Sequence, residues 1–268
     1  MFNKKEFIGE FIGTFLLMLI GLSAGASSAL FGALQGILQL ALVWGIAVSL
    51  AIYAATHLSN AHFNPAVTLA MAASKRMGFR KVPVYLAAQF AGAFTAALIV
   101  YALFGPSIAS FESAHHIVRG TMDSMQTAKL FGEYYTPPVT QAVVSVPLAV
   151  GAESLGTFLL ILIVFFLAEG SNLGKLGKHL PPVLVGLTIT VLICVFSPLT
   201  QAGLNPARDF GPRLVTWIFG WGDAAFPDQN GGFFLVYILG PIAGGQAAAF
   251  LFTYGIKPLY GGKKERRR

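Results

Sequence analysis

The chain has 268 residues, 55% of them hydrophobic and only 11% charged. A water-soluble domain carries about 25% charged residues, so this composition excludes an ordinary soluble globule and suits lipid as solvent. The net charge of +7 would suggest a nucleic-acid partner in a soluble protein, but its placement along the chain argues against one, and the single cysteine, Cys194, has no partner for an intrachain disulfide.

The first 19 residues, lysines followed by an apolar run, have the outline of a signal peptide. Much the same segment recurs in mid-chain, where a signal peptide cannot be, so the first run is read as a retained span. Crossing a bilayer as a helix takes about 20 mostly apolar residues. Six stretches qualify, at about 7–25, 34–56, 82–104, 148–168, 181–199 and 232–255. Two shorter apolar stretches, at about 65–74 and 206–217, each open on an Asn-Pro-Ala triplet. The fold class expected is an all-α membrane protein: six transmembrane helices plus two re-entrant half-helices in an inverted repeat. The whole of 1–268 reads as a single domain, with a first repeat over about 6–104, a connecting loop over about 105–147 and a second repeat over about 148–256.

Charge sets the expected orientation. Lys4, Lys5, Lys75, Arg76, Arg80, Lys81, Lys175, Lys178, Lys257, Lys263, Lys264, Arg266, Arg267 and Arg268 fall in alternate connections and at both ends. The positive-inside rule then places both termini in the cytoplasm, in a plasma or inner membrane. The charge is a topology signal, and no nucleic-acid partner is expected. The connecting loop becomes extracytoplasmic. It carries Pro137, Pro138 and the pair His115 and His116, which reads as solvated, so no metal is expected. The basic tail reads as positive-inside charge, with contact to anionic lipid as the alternative.

Two motifs recur at nearly one offset. Glu10-Phe11-Ile12-Gly13-Thr14-Phe15-Leu16-Leu17 matches Glu153-Ser154-Leu155-Gly156-Thr157-Phe158-Leu159-Leu160, and Asn64-Pro65-Ala66 matches Asn205-Pro206-Ala207. Each half holds three spans, an odd number, so the second half enters the membrane upside down. Inverted repeats place the solute path near the midplane, at their interface. Asn is a good N-cap and Pro is favoured at the first helical position, so each triplet starts a half-helix. Their positive dipole ends meet near the centre, where Asn64 and Asn205 can offer N–H donors to a passing oxygen. Glu10 and Glu153 are intramembrane carboxylates, which are expensive and functional by default. One reading gives them the backbone N–H groups of 59–63 and 200–204 to accept; the other is a proton relay, as in ion-coupled carriers.

These motifs resemble those of the major intrinsic protein family, the aquaporins and glycerol facilitators. The likeness runs from Glu10 to about Gly245, and its most specific parts are Ala61-His62-Phe63-Asn64-Pro65-Ala66-Val67-Thr68 and Asn205-Pro206-Ala207-Arg208-Asp209-Phe210-Gly211-Pro212. Asp209 and Arg213 look like the glycerol-facilitator pattern, as does the long run Trp217–Phe234 with its Gly220-Trp221-Gly222-Asp223. Ile238 stands where water channels usually have Trp, whereas Tyr237 departs from the glycerol pattern, which favours Pro. The resemblance implies a passive channel for glycerol and other small neutral solutes such as water or urea, assembled as a homotetramer in the bilayer, without enzymatic activity or cofactor. It implies a pore motif of Asn64, Pro65, Ala66, Asn205, Pro206 and Ala207. It puts a selectivity filter at Trp44, Ile193, Ala202 and Arg208, and loop support at Glu10, Glu153, His62 and Asp209. Typical glycerol facilitators have Gly and Phe at the positions of Ile193 and Ala202, and typical water channels have His at the first. The ring here is similar to that of the plant nodulin-26-like branch. Alternatives within the class are channels preferring water, ammonia or metalloid hydroxides; outside it, an ion-coupled carrier. Residues for a membrane enzyme are missing: no metal-ligand cluster, nucleophile motif or phosphate loop is visible.

Overall fold

The computed structural model describes residues 3–136, 139, 140, 142, 144–169, 177, 179–227 and 232–260. Pro137, Pro138, Lys175, Lys178 and the tail from Lys263 lie outside the described residues, as does part of the Trp217–Phe234 run.

Six of the described helices are long and apolar enough to cross a bilayer: α1 (Lys4–Phe31), α2 (Ile37–Ala55), α4 (Val82–Ala114), α5 (Val146–Ala168), α6 (Leu180–Thr200) and α8 (Gly232–Tyr260). Two shorter ones, α3 (Pro65–Ala73) and α7 (Pro206–Thr216), lie between α2 and α4 and between α6 and α8 in the chain. Among the described residues there is no strand. Each short helix starts where its sequence dictates. Asn64 Oδ1 accepts from the N–H of Ala66 at 2.8 Å, and Asn205 Oδ1 accepts from Ala207 and Arg208 at 3.0 and 3.3 Å. A proline follows each cap, where its missing N–H costs nothing.

The packing repeats itself. α1 packs on α4 and on α2; α5 packs on α8 and on α6. α4 holds α7, and α8 holds α3. Exchanging the first three spans and half-helix for the second three leaves this pattern unchanged, which is the inverted repeat in physical form. The two halves meet most intimately where α2 crosses α6. A Cβ on Gly45 or Gly186 would collide with the other residue's carbonyl oxygen. The close approach brings Ser49 Oγ to the Pro182 carbonyl at 3.1 Å and Thr190 Oγ1 to that of Ala41 at 3.2 Å. Such small-residue contacts are how helices associate in lipid, where burial supplies no drive.

One face of the bundle is stitched by ion pairs between its basic residues and the ends of the spans. Lys81 reaches Glu6 at 2.6 Å, and Arg76 reaches Glu169 at 3.0 Å while lying over the Phe165 and Phe252 rings.

The third span is longer than its hydrophobic reading. Gly105 and Pro106 look like a stop, yet α4 continues through both to Ala114. The extension is held from outside: Ile108 is fully buried, and Glu112 accepts from Arg119 at 2.8 Å and Thr127 at 2.7 Å. Tertiary packing therefore outweighs the backbone hydrogen bond that Pro106 cannot make. The first span likewise runs on past residue 25 to Phe31, ending where Gly32 takes a left-handed conformation, φ 65°.

Candidate functional site

The backbone just before each half-helix is neither helix nor strand, so its N–H groups need acceptors inside the bundle. They find them in two buried carboxylates. Glu10 accepts from Ser59 Oγ at 2.7 Å, from His62 N–H at 3.0 Å, from Phe63 N–H at 2.8 Å and from Gln89 Nε2 at 2.8 Å. Glu153 accepts from Thr200 Oγ1 at 2.6 Å, from Gly203 N–H at 2.9 Å and from Leu204 N–H at 2.6 Å. Three donors correspond across the repeat, Ser59 with Thr200, His62 with Gly203 and Phe63 with Leu204, while Gln89 is an addition on the Glu10 side. The geometry requires left-handed backbone at Ala61, Phe63, Ala202 and Leu204, with φ of 54°, 51°, 59° and 53°. Non-glycine residues held in that region cost about 1–3 kcal/mol each and cluster at functional sites.

The half-helices meet tip to tip through their caps. Asn64 Nδ2 donates to the Leu204 carbonyl and Asn205 Nδ2 to that of Phe63, both at 2.9 Å. Each amide thus spends its oxygen and one hydrogen on the scaffold. The His62 side chain sits behind this junction, with Nδ1 3.2 Å from Thr68 Oγ1 and its ring 5.1 Å from that of Tyr85. Gln89 also donates to Thr68 Oγ1, at 2.9 Å.

Three cavities follow one another through the bundle. The first, about 120 Å³, is bordered by Val48, Ile52, His62, Asn64, Ile189 and Asn205 among others. It shares the two asparagines, Leu17, Val48, Leu160 and Ile189 with a second of about 60 Å³. The second is walled by Trp44, Ile193, Ala202 and Arg208, so all four ring positions named from the sequence border one space. Trp44, Ile193 and Arg208 then border a third, about 80 Å³, which also meets Lys129, Glu133 and Gln201. The lining is apolar at Leu17, Trp44, Val48, Leu160, Ile189 and Ile193 and polar at Asn64, Asn205 and Arg208, with the Ala202–Leu204 stretch beside them. Burial pushes the Lys129 ammonium in the third cavity down from its ordinary pKa.

Arg208 lies over the Trp44 ring, its guanidinium carbon 4.6 Å from the centroid. Its ion-pair partner is Glu133, from the connection between α4 and α5. Asp209, next in sequence, instead pairs with Arg213 at 2.7 Å and accepts the N–H of Glu133 at 2.7 Å. Arg213 is fully buried, stacked among Tyr134, Phe233 and Tyr237, and donates to the carbonyls of Ala225 and Glu133. The loop-supporting contact of Asp209 is therefore to the long connection rather than to the half-helix loops. Glu133, Gln89 and the clamp role of Arg213 escape a reading of the sequence. Only the Asp209-x-x-x-Arg213 spacing, one helical turn, signals a pair.

Among the described residues no group of three or more His, Cys, Asp or Glu could hold a metal ion. His115 is occupied locally, with Nδ1 2.9 Å from the Phe111 carbonyl.

The model of the family described as "Major intrinsic protein" matches residues 1–252. The chain belongs to the major intrinsic protein family. Relatives within it include the propanediol uptake facilitator PduF of Salmonella typhimurium, 38% identical over 80% of this chain and 79% of its own length. The glycerol uptake facilitator protein of Pseudomonas aeruginosa is 42% identical over 75% and 71%, and that of Escherichia coli K12 39% over 78% and 73%. In three dimensions the chain is similar to the aquaglyceroporin from Plasmodium falciparum, with a TM-score of 0.83 and 30% identity over 96% of this chain and 98% of that one. Major intrinsic proteins are channels and not enzymes, and this member is a multi-pass membrane protein with the aquaporin fold.

Proposed function

We propose that this channel conducts glycerol and similar small polyols, propanediol included, passively down their gradients, with water following. The observation that carries the reading is the mixed lining of the passage, apolar side chains together with hydrogen-bonding groups. The carbon chain of a polyol slides along Trp44, Ile193, Leu160 and Ile189. Its hydroxyls exchange partners along Arg208, the Ala202–Leu204 backbone, Asn205 and Asn64. An amide has two N–H donors, and the one that each cap asparagine does not give to the scaffold is available to the solute.

In this reading Asn64-Pro65-Ala66 and Asn205-Pro206-Ala207 form the central pore motif. Trp44, Ile193, Ala202 and Arg208 form the filter, Glu10, Glu153 and His62 hold the half-helix loops, and Asp209 holds the long connection beside them. Each repeat, about 6–104 and about 148–256, supplies one half of the path. Both termini lie in the cytoplasm, and four copies assemble as a homotetramer, each with its own pore. With Ile193 and Ala202 in the ring, uncharged metalloid hydroxides are the alternative permeant group.

Stopped-flow light scattering of proteoliposomes tests the reading by comparing water, glycerol, 1,2-propanediol and urea influx. Fast glycerol and propanediol influx is expected; vesicles that swell with water alone would overturn the polyol assignment.

A further inference from the structure

We propose that Glu133 is a fifth residue of the outer constriction, the fixed counter-ion of Arg208 that sets the charge selectivity of the pore mouth. The inference rests on the reading of this passage as the solute path. A buried guanidinium without an anion is costly, and two carboxylates lie near enough in the fold to serve. Asp209 is already spent: Oδ2 accepts from Arg213 Nε at 2.7 Å, and Oδ1 accepts from Arg213 Nη2 at 3.0 Å and from the Glu133 N–H at 2.7 Å. Glu133 is free to turn its carboxylate to Arg208, and does.

The connection that carries Glu133 is fixed by its backbone. The Glu133 N–H donates to Asp209, the Glu133 carbonyl accepts from Arg213, and the Tyr134 N–H donates to Gln201 Oε1 at 2.7 Å. These bonds would survive a change of the Glu133 side chain. The carboxylate itself is buried, 5% exposed, yet borders the third cavity beside Lys129 and Arg208. The mouth therefore holds one anion and two cations. Remove Arg208 and the carboxylate loses its ion-pair partner on the cavity wall, with Lys129 the basic residue that remains on that lining. A unit charge in a site of reduced dielectric acts strongly on a passing ion, so the orphaned Glu133 draws cations in. Cation exclusion at this mouth is a property of the Arg208–Glu133 pair, and the leak of an arginine-less pore comes from the glutamate left behind.

Proteoliposomes with the parent, R208V, the double variant R208V/E133Q and the double variant R208V/E133D test this. Proton leak is followed with a trapped pH dye under an imposed potassium diffusion potential and divided by glycerol influx in the same vesicles. That ratio cancels loss of folded protein. R208V should leak more than the parent. R208V/E133Q should fall about tenfold below R208V, given the strength of an unscreened charge, while R208V/E133D should stay at the R208V level. Equal leak in the two double variants overturns the counter-ion role. Absence of glycerol influx through the parent would instead overturn the polyol reading.

Discussion

Two oxygens of Glu153 hold three donors that lipid could not satisfy: the Thr200 hydroxyl and the N–H groups of Gly203 and Leu204. Each buried donor left unpaired costs about 1–3 kcal/mol. Glu153→Gln keeps one acceptor oxygen and Glu153→Leu none, so the Gln variant should keep a higher unfolding temperature in detergent and more glycerol influx. Equal stability with both variants inactive would favour a proton relay. Ile193 is a simpler case, since it borders both the second and third cavities, as Arg208 does. Ile193→His adds a polar group to the apolar side of the ring and narrows it. The ratio of glycerol to water permeability should fall, and an unchanged ratio would mean that the side chain does not meet the solute. The glutamates and the asparagines could be picked out from the sequence because each is anchored by a repeat, and the four ring positions came from the resemblance to the family. Glu133 could not. It has no repeat partner, and what makes it matter is a backbone clamp from Asp209 and Arg213, 76 and 80 residues away.

Hydropathy locates the six spans because every span must be apolar over its whole length. It misplaces the end of α4 because Gly105-Pro106 is a local signal and the burial of Ile108 and Glu112 is not. The loop conformations were equally hidden. Ala61, Phe63, Ala202 and Leu204 have no propensity for positive φ, and they hold it because the glutamates collect the neighbouring N–H groups. The contact between α2 and α6 makes a direct test of packing at this scale. Gly186→Ala places a methyl on the Gly45 carbonyl and the Ser49 hydroxyl, and backbone cannot move aside as a flexible side chain can. Overpacking of this kind costs typically about 1–3 kcal/mol. The variant should unfold at a lower temperature in detergent than the parent. Gly25→Ala, where an added Cβ meets nothing within 4 Å, should not. Equal loss in both would show that the helix crossing is looser than its glycines imply.

For the molecule as a whole, the question is whether a solute crosses an open path or rides a moving one. Inverted repeats and broken helices serve carriers as well as channels, so topology does not choose. The interface between the halves does. A carrier must rock one half against the other, but here the halves are joined where rocking would shear them. Asn64 and Asn205 each hold a carbonyl of the opposite repeat, and α2 and α6 touch backbone to backbone at Gly45 and Gly186. The three cavities share residues in sequence, Asn64 and Asn205 between the first and second, Trp44, Ile193 and Arg208 between the second and third. An open path would run through this series of cavities, along residues that neighbouring cavities share. The intramembrane carboxylates are equally committed: Glu10 and Glu153 accept from loop donors, and Asp209 is closed by Arg213. None of these three is left to bind and release a coupling ion. Glycerol influx into proteoliposomes should therefore be indifferent to imposed pH and sodium gradients and should rise linearly with glycerol concentration. Influx that saturates and collapses when either gradient is abolished would require a rocking interface, and the cross-repeat asparagine bonds would then have to break in every cycle.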